Sequence, residues 1–233
     1  MMRWWVSVKG SRAFANQETM DLFFDHSKKP KNSGKHFLLY ANSHYVYYRE
    51  AAAHSLAAIK PIHAIGICQG NTAAGPKEDG LKSPQCQPYK ENEIPSSVIV
   101  HTESGRNDRS FNSVIGHDFR FVLLMENVKS DGYITEKIVD GFMSGSIPIY
   151  YGTTEVFDIF NRNAFIYFDI ENPYQALDRI EHLENDPQEY ERMLNEPILA
   201  DGVNTIEKYF SFEDSIGHGM LKKRVREKLG FPV

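Results

Sequence analysis

The sequence holds two cysteines in 233 residues, Cys68 and Cys86. That is too few for a disulfide framework or a cysteine-rich zinc site. The pair reads either as two free buried thiols or as one bridge. No unbroken apolar stretch reaches the about 18 residues a membrane helix needs, so no transmembrane segment is expected. The first residues, MMRWWVSVKGSRAF, lack the long apolar core of a secretory signal, and no Asn-X-Ser/Thr acceptor site occurs. Positive charge is not in excess either: 26 Lys and Arg face 31 Asp and Glu, a net charge of −5. Affinity for nucleic acid comes mostly from clustered Lys and Arg, so a nucleic-acid partner is not expected. No G-x-G-x-x-G follows the first predicted strand, which argues against a dinucleotide-dependent oxidoreductase. Asp-X-Asp and H-E-x-x-H are both missing, and the 9 histidines are scattered, so no metal site is predicted.

What the chain does have is an ordinary globular balance, 41% apolar and 24% charged residues. Its length accommodates one sizeable core, or one domain with appendages, rather than two complete Rossmann-like domains. The informative stretch is Phe119 to Gly152. The run Phe121-Val122-Leu123-Leu124-Met125 is short, wholly apolar and bounded by polar residues, which predicts a strand buried on both faces. Glu126-Asn127 stand where that strand ends, and a turn at Asp131-Gly132 follows. Tyr133-Ile134-Thr135-Glu136-Lys137 then lead into a helix whose apolar side is Ile138, Val139 and Phe142, with Gly145 placed to stop it. Ile147 to Tyr151 is a second strand ending at Gly152. This β-α-β unit gathers polar side chains at the carboxyl end of its first strand, where open parallel sheets bind ligands. Lys137 in the first helical turn opposes the helix dipole, which makes sense if a phosphate occupies that place. A solvated Glu136-Lys137 pair on a surface helix fits the same spacing.

Elsewhere the same alternation recurs. His36 to Ala41 reads as a buried strand ending at Asn42. The alanine-rich Tyr45 to Lys60 reads as a helix closed by Pro61, and Ile62 to Cys68 as the next strand. Arg49 lies early in that helix. Residues 1–35 read as a poorly defined N-terminal remnant in which Arg3 to Val8 forms a short strand and 27–35 a polar linker; residues 36–233 read as the main domain. Residues 69–95 form a long loop, and Asp108 to His117 a short helix. Thr154 to Phe160 is a short helix and Ala164 to Asp169 a strand. Asn172-Pro173 caps a helix through Leu183. Helices are also predicted over Pro187 to Leu194 and over Ser211 to Leu229, the latter basic at Lys222, Lys223, Arg224, Arg226 and Lys228. A solvated face accounts for that basic cluster.

Three linked runs, Glu126-Asn127, then Tyr133 to Lys137, then Ser146 to Gly152, resemble the α-1,3-fucosyltransferase family, glycosyltransferase family 10. That family carries E-N, Y-I/V-T-E-K and A/I-I/V-P-I/V-x-x-G in this order and spacing. Ala41-Asn42, Arg49 with Leu56, and Gly66-Ile67-Cys68 resemble the start of its donor domain. The resemblance implies an α/β fold: a Rossmann-like parallel sheet with flanking helices, the C-terminal donor domain of a GT-B glycosyltransferase. It implies an inverting transfer of L-fucose from GDP-fucose to a glycan acceptor, with no cofactor or metal required. Arg49 then corresponds to the family's phosphate-binding arginine, Lys137 supplies a point charge, Glu136 accepts from the ribose hydroxyls, and Asn127 and Tyr133 line the diphosphate and fucose. Asn42, Glu126 and Thr135 are further candidates, Glu126 either direct or purely structural. Relatives in eukaryotes face the Golgi lumen, and bacterial ones are cytoplasmic or membrane-associated. The family's general base is a glutamate on a separate acceptor domain, followed by Asn or Ser and preceded by an aromatic. Neither Glu18 nor Glu50 lies in that context, so no base is named here. The alternative is a donor-binding domain that holds the nucleotide sugar without transferring it.

Overall fold

A strand that is apolar at every position has to be covered on both sides, and the architecture is built around one. The computed structural model describes residues 5–6, 20, 23, 31–41, 46–65, 98–101 and 116–232. Within them β1 (His36–Ala41), β2 (Ile62–Ile65), β3 (Val98–His101), β4 (Phe119–Met125), β5 (Ile147–Tyr151) and β6 (Ile166–Tyr167) form a 6-stranded sheet. All five pairings are parallel, and the spatial order is β3-β2-β1-β4-β5-β6. That is the doubly wound order, in which successive strands run outward in opposite directions from a central pair. A separate two-residue parallel ladder joins Trp5–Val6 to Tyr133–Ile134, in keeping with the short strand expected near the N-terminus.

Side chains alternate across the sheet with period two. Leu38, Tyr40, Phe121, Leu123, Met125, Ile149 and Tyr151 share one core with α1 (Tyr47–Ala57), through its Ala52, Ala53 and Leu56. The same core takes in α3 (Tyr174–Asn185) and α4 (Pro187–Leu194). Leu39, Val122, Leu124 and Tyr150 belong to a second core with Ile138, Val139 and Phe142 of α2 (Lys137–Met143) and with Ile206 and Tyr209 of α5 (Gly202–Tyr209). So α1 and α2, which follow the two central strands, cover opposite faces. Pro148 is tolerated because β6 begins opposite Ile149, one residue later. Asn32, from the predicted linker, bonds the Ser146 hydroxyl at 3.2 Å and the Phe119 carbonyl, tying the starts of β4 and β5 together.

Several expectations change. The predicted helix over Tyr45 to Lys60 is shorter, Tyr47–Ala57. The predicted helix over Thr154 to Phe160 is a 3-10 turn, Thr154–Asp158, and the strand over Ala164 to Asp169 shrinks to Ile166–Tyr167. Pro173 occupies the cap position of α3 rather than its first turn, and Asn172 makes no cap bond. The expected cap-then-proline arrangement occurs instead at α4, where Asp186 accepts from Gln188 and Glu189 N–H ahead of Pro187. Ser211 to Leu229 is not one helix: α6 is Met220–Lys228, preceded by Gly217, His218 and Gly219 at φ 49, 55 and 64. Three left-handed residues in a row cannot continue a right-handed helix. The helix α5 before them was not expected. No residue of α6 is buried. Of the predicted helix over Asp108 to His117, only the turn Gly116–Asp118 is described. Cys68, Cys86 and the loop 69–95 lie outside the described residues. Among the described residues no helix is long and apolar enough to cross a membrane.

Gly145 has φ 75 and ends α2 as expected. Gly141 within α2 has a different role, since a Cβ there would meet Leu124 and the rigid Pro148 ring at 3.2 Å. Alanine gains about 1 kcal/mol in helix propensity, but overpacking costs about 1–3 kcal/mol. We expect Gly141→Ala to be net destabilising by up to about 2 kcal/mol in urea unfolding; a gain in stability would refute the close contact.

Candidate functional site

The order of the sheet reverses between β1 and β4, so the carboxyl ends of these two strands border a crevice not covered by either crossover helix. Arg49, Glu126, Asn127, Thr135 and Lys137, singled out in the sequence, meet at the end of β4. Glu126 follows β4 directly, extending the ladder through its N–H to the Tyr151 carbonyl at 2.8 Å, and its side chain is 0% exposed. A carboxylate so placed is costly unless each oxygen is satisfied. Oε1 accepts from the Thr135 N–H at 2.7 Å and from the Tyr150 phenol at 3.1 Å. Oε2 accepts from the Lys137 ammonium at 3.0 Å, and the Thr135 hydroxyl lies 2.8 Å from Oε2 and 2.9 Å from Oε1. Lys137 also donates to the Thr135 hydroxyl oxygen at 2.8 Å. Two of its three N–H donors are therefore held within the chain, and the side chain stays 25% exposed.

Arg49 reaches the same strand end from the other face. Its Nη2 donates to the Met125 carbonyl at 2.6 Å and to the Asn127 side-chain oxygen. The neighbouring Tyr48 donates to the Glu126 carbonyl at 2.7 Å, and its ring lies 5.2 Å from that of Tyr151. The two cations thus leave helices on opposite faces yet are anchored on consecutive residues, Met125 to Asn127. Arg49 is 5% exposed, a buried guanidinium that holds the strand end and Asn127.

Of the other candidates, Thr135 is buried at the centre of the Glu126 cluster, while Tyr133 and Glu136 are half-buried at the edge. Glu136 occupies the cap position of α2 without a side-chain cap bond. The helix is only 7 residues long, so its dipole is short and the positive potential rests on the side chains. Asn42 lies outside the described residues. Glu50 is buried and accepts from Tyr40 at 2.8 Å. Tyr48, Tyr150 and Glu155 were not anticipated. Glu155 accepts from the Gly132 N–H and from the Thr153 hydroxyl, fixing the turn, with Gly132 at φ 72, that precedes Tyr133. No sequence signal marks Tyr150 except its place two residues before Gly152. A Cβ on Gly152 would press on the Tyr150 phenol, with the ring carbon bearing the hydroxyl at 2.8 Å. The glycine leaves the space through which that phenol reaches Glu126.

Burial first, and then the adjacent Glu126 charge, push the Tyr150 phenol well above its usual range. The unfolded chain, with a phenol near pKa ~10, therefore loses this proton first. The contribution of Tyr150 is complete below about pH 10 and falls as pH rises above it. We expect Tyr150→Phe to cost about 1–3 kcal/mol at pH 7 and to flatten the loss of stability between about pH 10 and 11, both read by urea unfolding. Unchanged stability at pH 7 would refute the bond to Glu126.

Among the described residues no group of three or more His, Cys, Asp or Glu could hold a metal ion. Residues 29–195 match the model of the family described as Glycosyltransferase family 10 (fucosyltransferase) C-term. The alpha-(1,3)-fucosyltransferase of Helicobacter pylori is 36% identical over 98 residues, 42% of this chain and 20% of that protein. GDP-fucose protein O-fucosyltransferase 3 of Gallus gallus is 29% identical over 104 residues, 44% of this chain and 22% of that protein. A crystal structure of alpha1,3-fucosyltransferase superposes with a TM-score of 0.50 at 23% identity, over 79% of this chain and 44% of that one, a likeness of fold. The chain thus spans less than half the length of the relatives it matches. With the family match running from the linker through α4, across the sheet and both helices that carry the cations, the chain belongs to glycosyltransferase family 10, the fucosyltransferases.

Proposed function

We propose that this chain is the donor half of a fucosyltransferase that transfers L-fucose from GDP-fucose to a glycan acceptor with inversion at the sugar carbon. The observation that carries the reading is the pair of cations anchored on Met125 to Asn127 at the carboxyl ends of the central strands. Departure of the diphosphate builds negative charge, and fixed cations where that charge develops lower the barrier. Lys137 is the exposed member and meets the diphosphate, with its third N–H available to a phosphate oxygen. Arg49 adds buried positive charge and orients Asn127. Tyr133 and Asn127 line the sugar and diphosphate, Glu136 takes the ribose hydroxyls, and Thr135 supports Lys137 from behind.

In this reading the cations stand in place of a divalent ion. Residues 36–233 form the donor-binding domain, and a separate acceptor domain supplies the general base, because the acceptor hydroxyl must lose its proton. The Gallus gallus relative is named for protein O-fucosylation, so a protein acceptor is the competitor to a glycan. The lumen of the Golgi is the compartment in a eukaryote, and the cytoplasm in a bacterium.

Calorimetry with GDP and GDP-fucose tests this. We expect both to bind, and Lys137→Met or Arg49→Met to weaken GDP about tenfold or more, the value of a charged hydrogen bond. Unchanged GDP affinity in both variants would overturn the site assignment. GDP binding without fucose transfer, measured on the protein together with its acceptor domain, would select the binding-only alternative.

A further inference from the structure

The reaction as proposed leaves Glu126 without a task, yet it is the most thoroughly satisfied charge at the site. Its side chain is 0% exposed and cannot touch a substrate. A buried carboxylate at this position needs a reason, because an apolar residue would close the strand end at lower cost. Its partners come from two places in the chain: Thr135 and Lys137 at the entry to α2, and Tyr150 in β5.

Resting on the donor reading, we propose that Glu126 is a positioning residue: through Thr135 it clamps the Lys137 ammonium where the donor diphosphate arrives. The geometry is specific. Lys137 is held by the carboxylate at 3.0 Å and by the Thr135 hydroxyl oxygen at 2.8 Å. A hydroxyl has one proton, and donating it to Glu126 turns the Thr135 lone pairs toward Lys137. Thr135 is fixed in turn by its own N–H to Glu126 at 2.7 Å. The clamp is closed at the back by the Tyr150 phenol, which stays protonated because burial and the Glu126 charge both oppose its ionisation. A lysine side chain has four rotatable bonds and much entropy to lose; the clamp removes that freedom before the donor binds, which is preorganisation. It also leaves one N–H for an outside acceptor.

Removing Glu126 has two opposing effects on GDP: a negative charge near the diphosphate disappears, and Lys137 loses its anchor. A double-mutant cycle separates them, since the direct charge effect cancels. On the intact protein, GDP affinity is measured by calorimetry for wild type, Lys137→Met, Glu126→Gln and the double variant. We expect Lys137→Met to cost about tenfold in the wild-type background and less than about threefold in the Glu126→Gln background. Equal losses in both backgrounds overturn the proposal. Should Glu126→Gln fail to fold, Thr135→Val carries the same cycle, because it removes the hydroxyl that both partners share.

A second measurement does not depend on GDP. Acetylation of Lys137 by acetic anhydride, followed by peptide mass spectrometry, should run several-fold faster in Glu126→Gln or Thr135→Val than in wild type. An unchanged rate overturns the clamp. If wild type binds no GDP, the donor reading fails by itself, and the acetylation rates alone support or overturn the clamp.

Discussion

A single buried carboxylate organises this half of the molecule. Glu126 ends the central strand with its side chain sealed from water, and low-dielectric surroundings make any unsatisfied oxygen expensive. Each neighbouring feature can be traced to that constraint. Thr135 must turn its N–H inward, α2 must begin with a cation, and β5 must place a phenol within reach. Gly152 must lack a side chain so that the phenol has room. The partners joined in this way lie 9, 11 and 24 positions from Glu126 within one β-α-β unit and meet at one edge of the sheet.

The same edge explains how two helices on opposite faces serve one place. In a doubly wound sheet the first crossover on each side of the central pair leaves in its own direction, and the crevice between them is open. Arg49 arrives from α1 and Lys137 from α2, and both are fastened to the last residues of β4. Their burial divides the labour. Arg49, 5% exposed, acts as fixed charge and scaffold, whereas Lys137, 25% exposed, remains open to a ligand. With Glu126 counted, the three groups sum to a single positive charge.

The runs Glu126-Asn127, Tyr133 to Lys137 and Ser146 to Gly152 made the family legible in the sequence, because three motifs in fixed order over about thirty residues are specific together. Strand β4 was legible for a physical reason: burial on both faces leaves no polar position. Helix ends were less so. Gly217-His218-Gly219 interrupts an otherwise helical pattern through backbone conformation that composition hardly reveals. Asn172-Pro173 reads as a cap in the sequence, yet the cap bonds are made by Asp186 ahead of Pro187.

By itself, then, the sequence determined the elements whose periodicity is set by burial, the parallel α/β class that follows from their alternation, and the residue types gathered after the central strand. Only the tertiary structure decided what those residues do to one another. It set Arg49 against the end of β4, joined Glu126 to Lys137, and brought in Tyr150 from a strand 24 residues away in sequence. Hydrogen-bond partners and exposure are properties of distance in space, and linear spacing carries no information about either until the chain has folded.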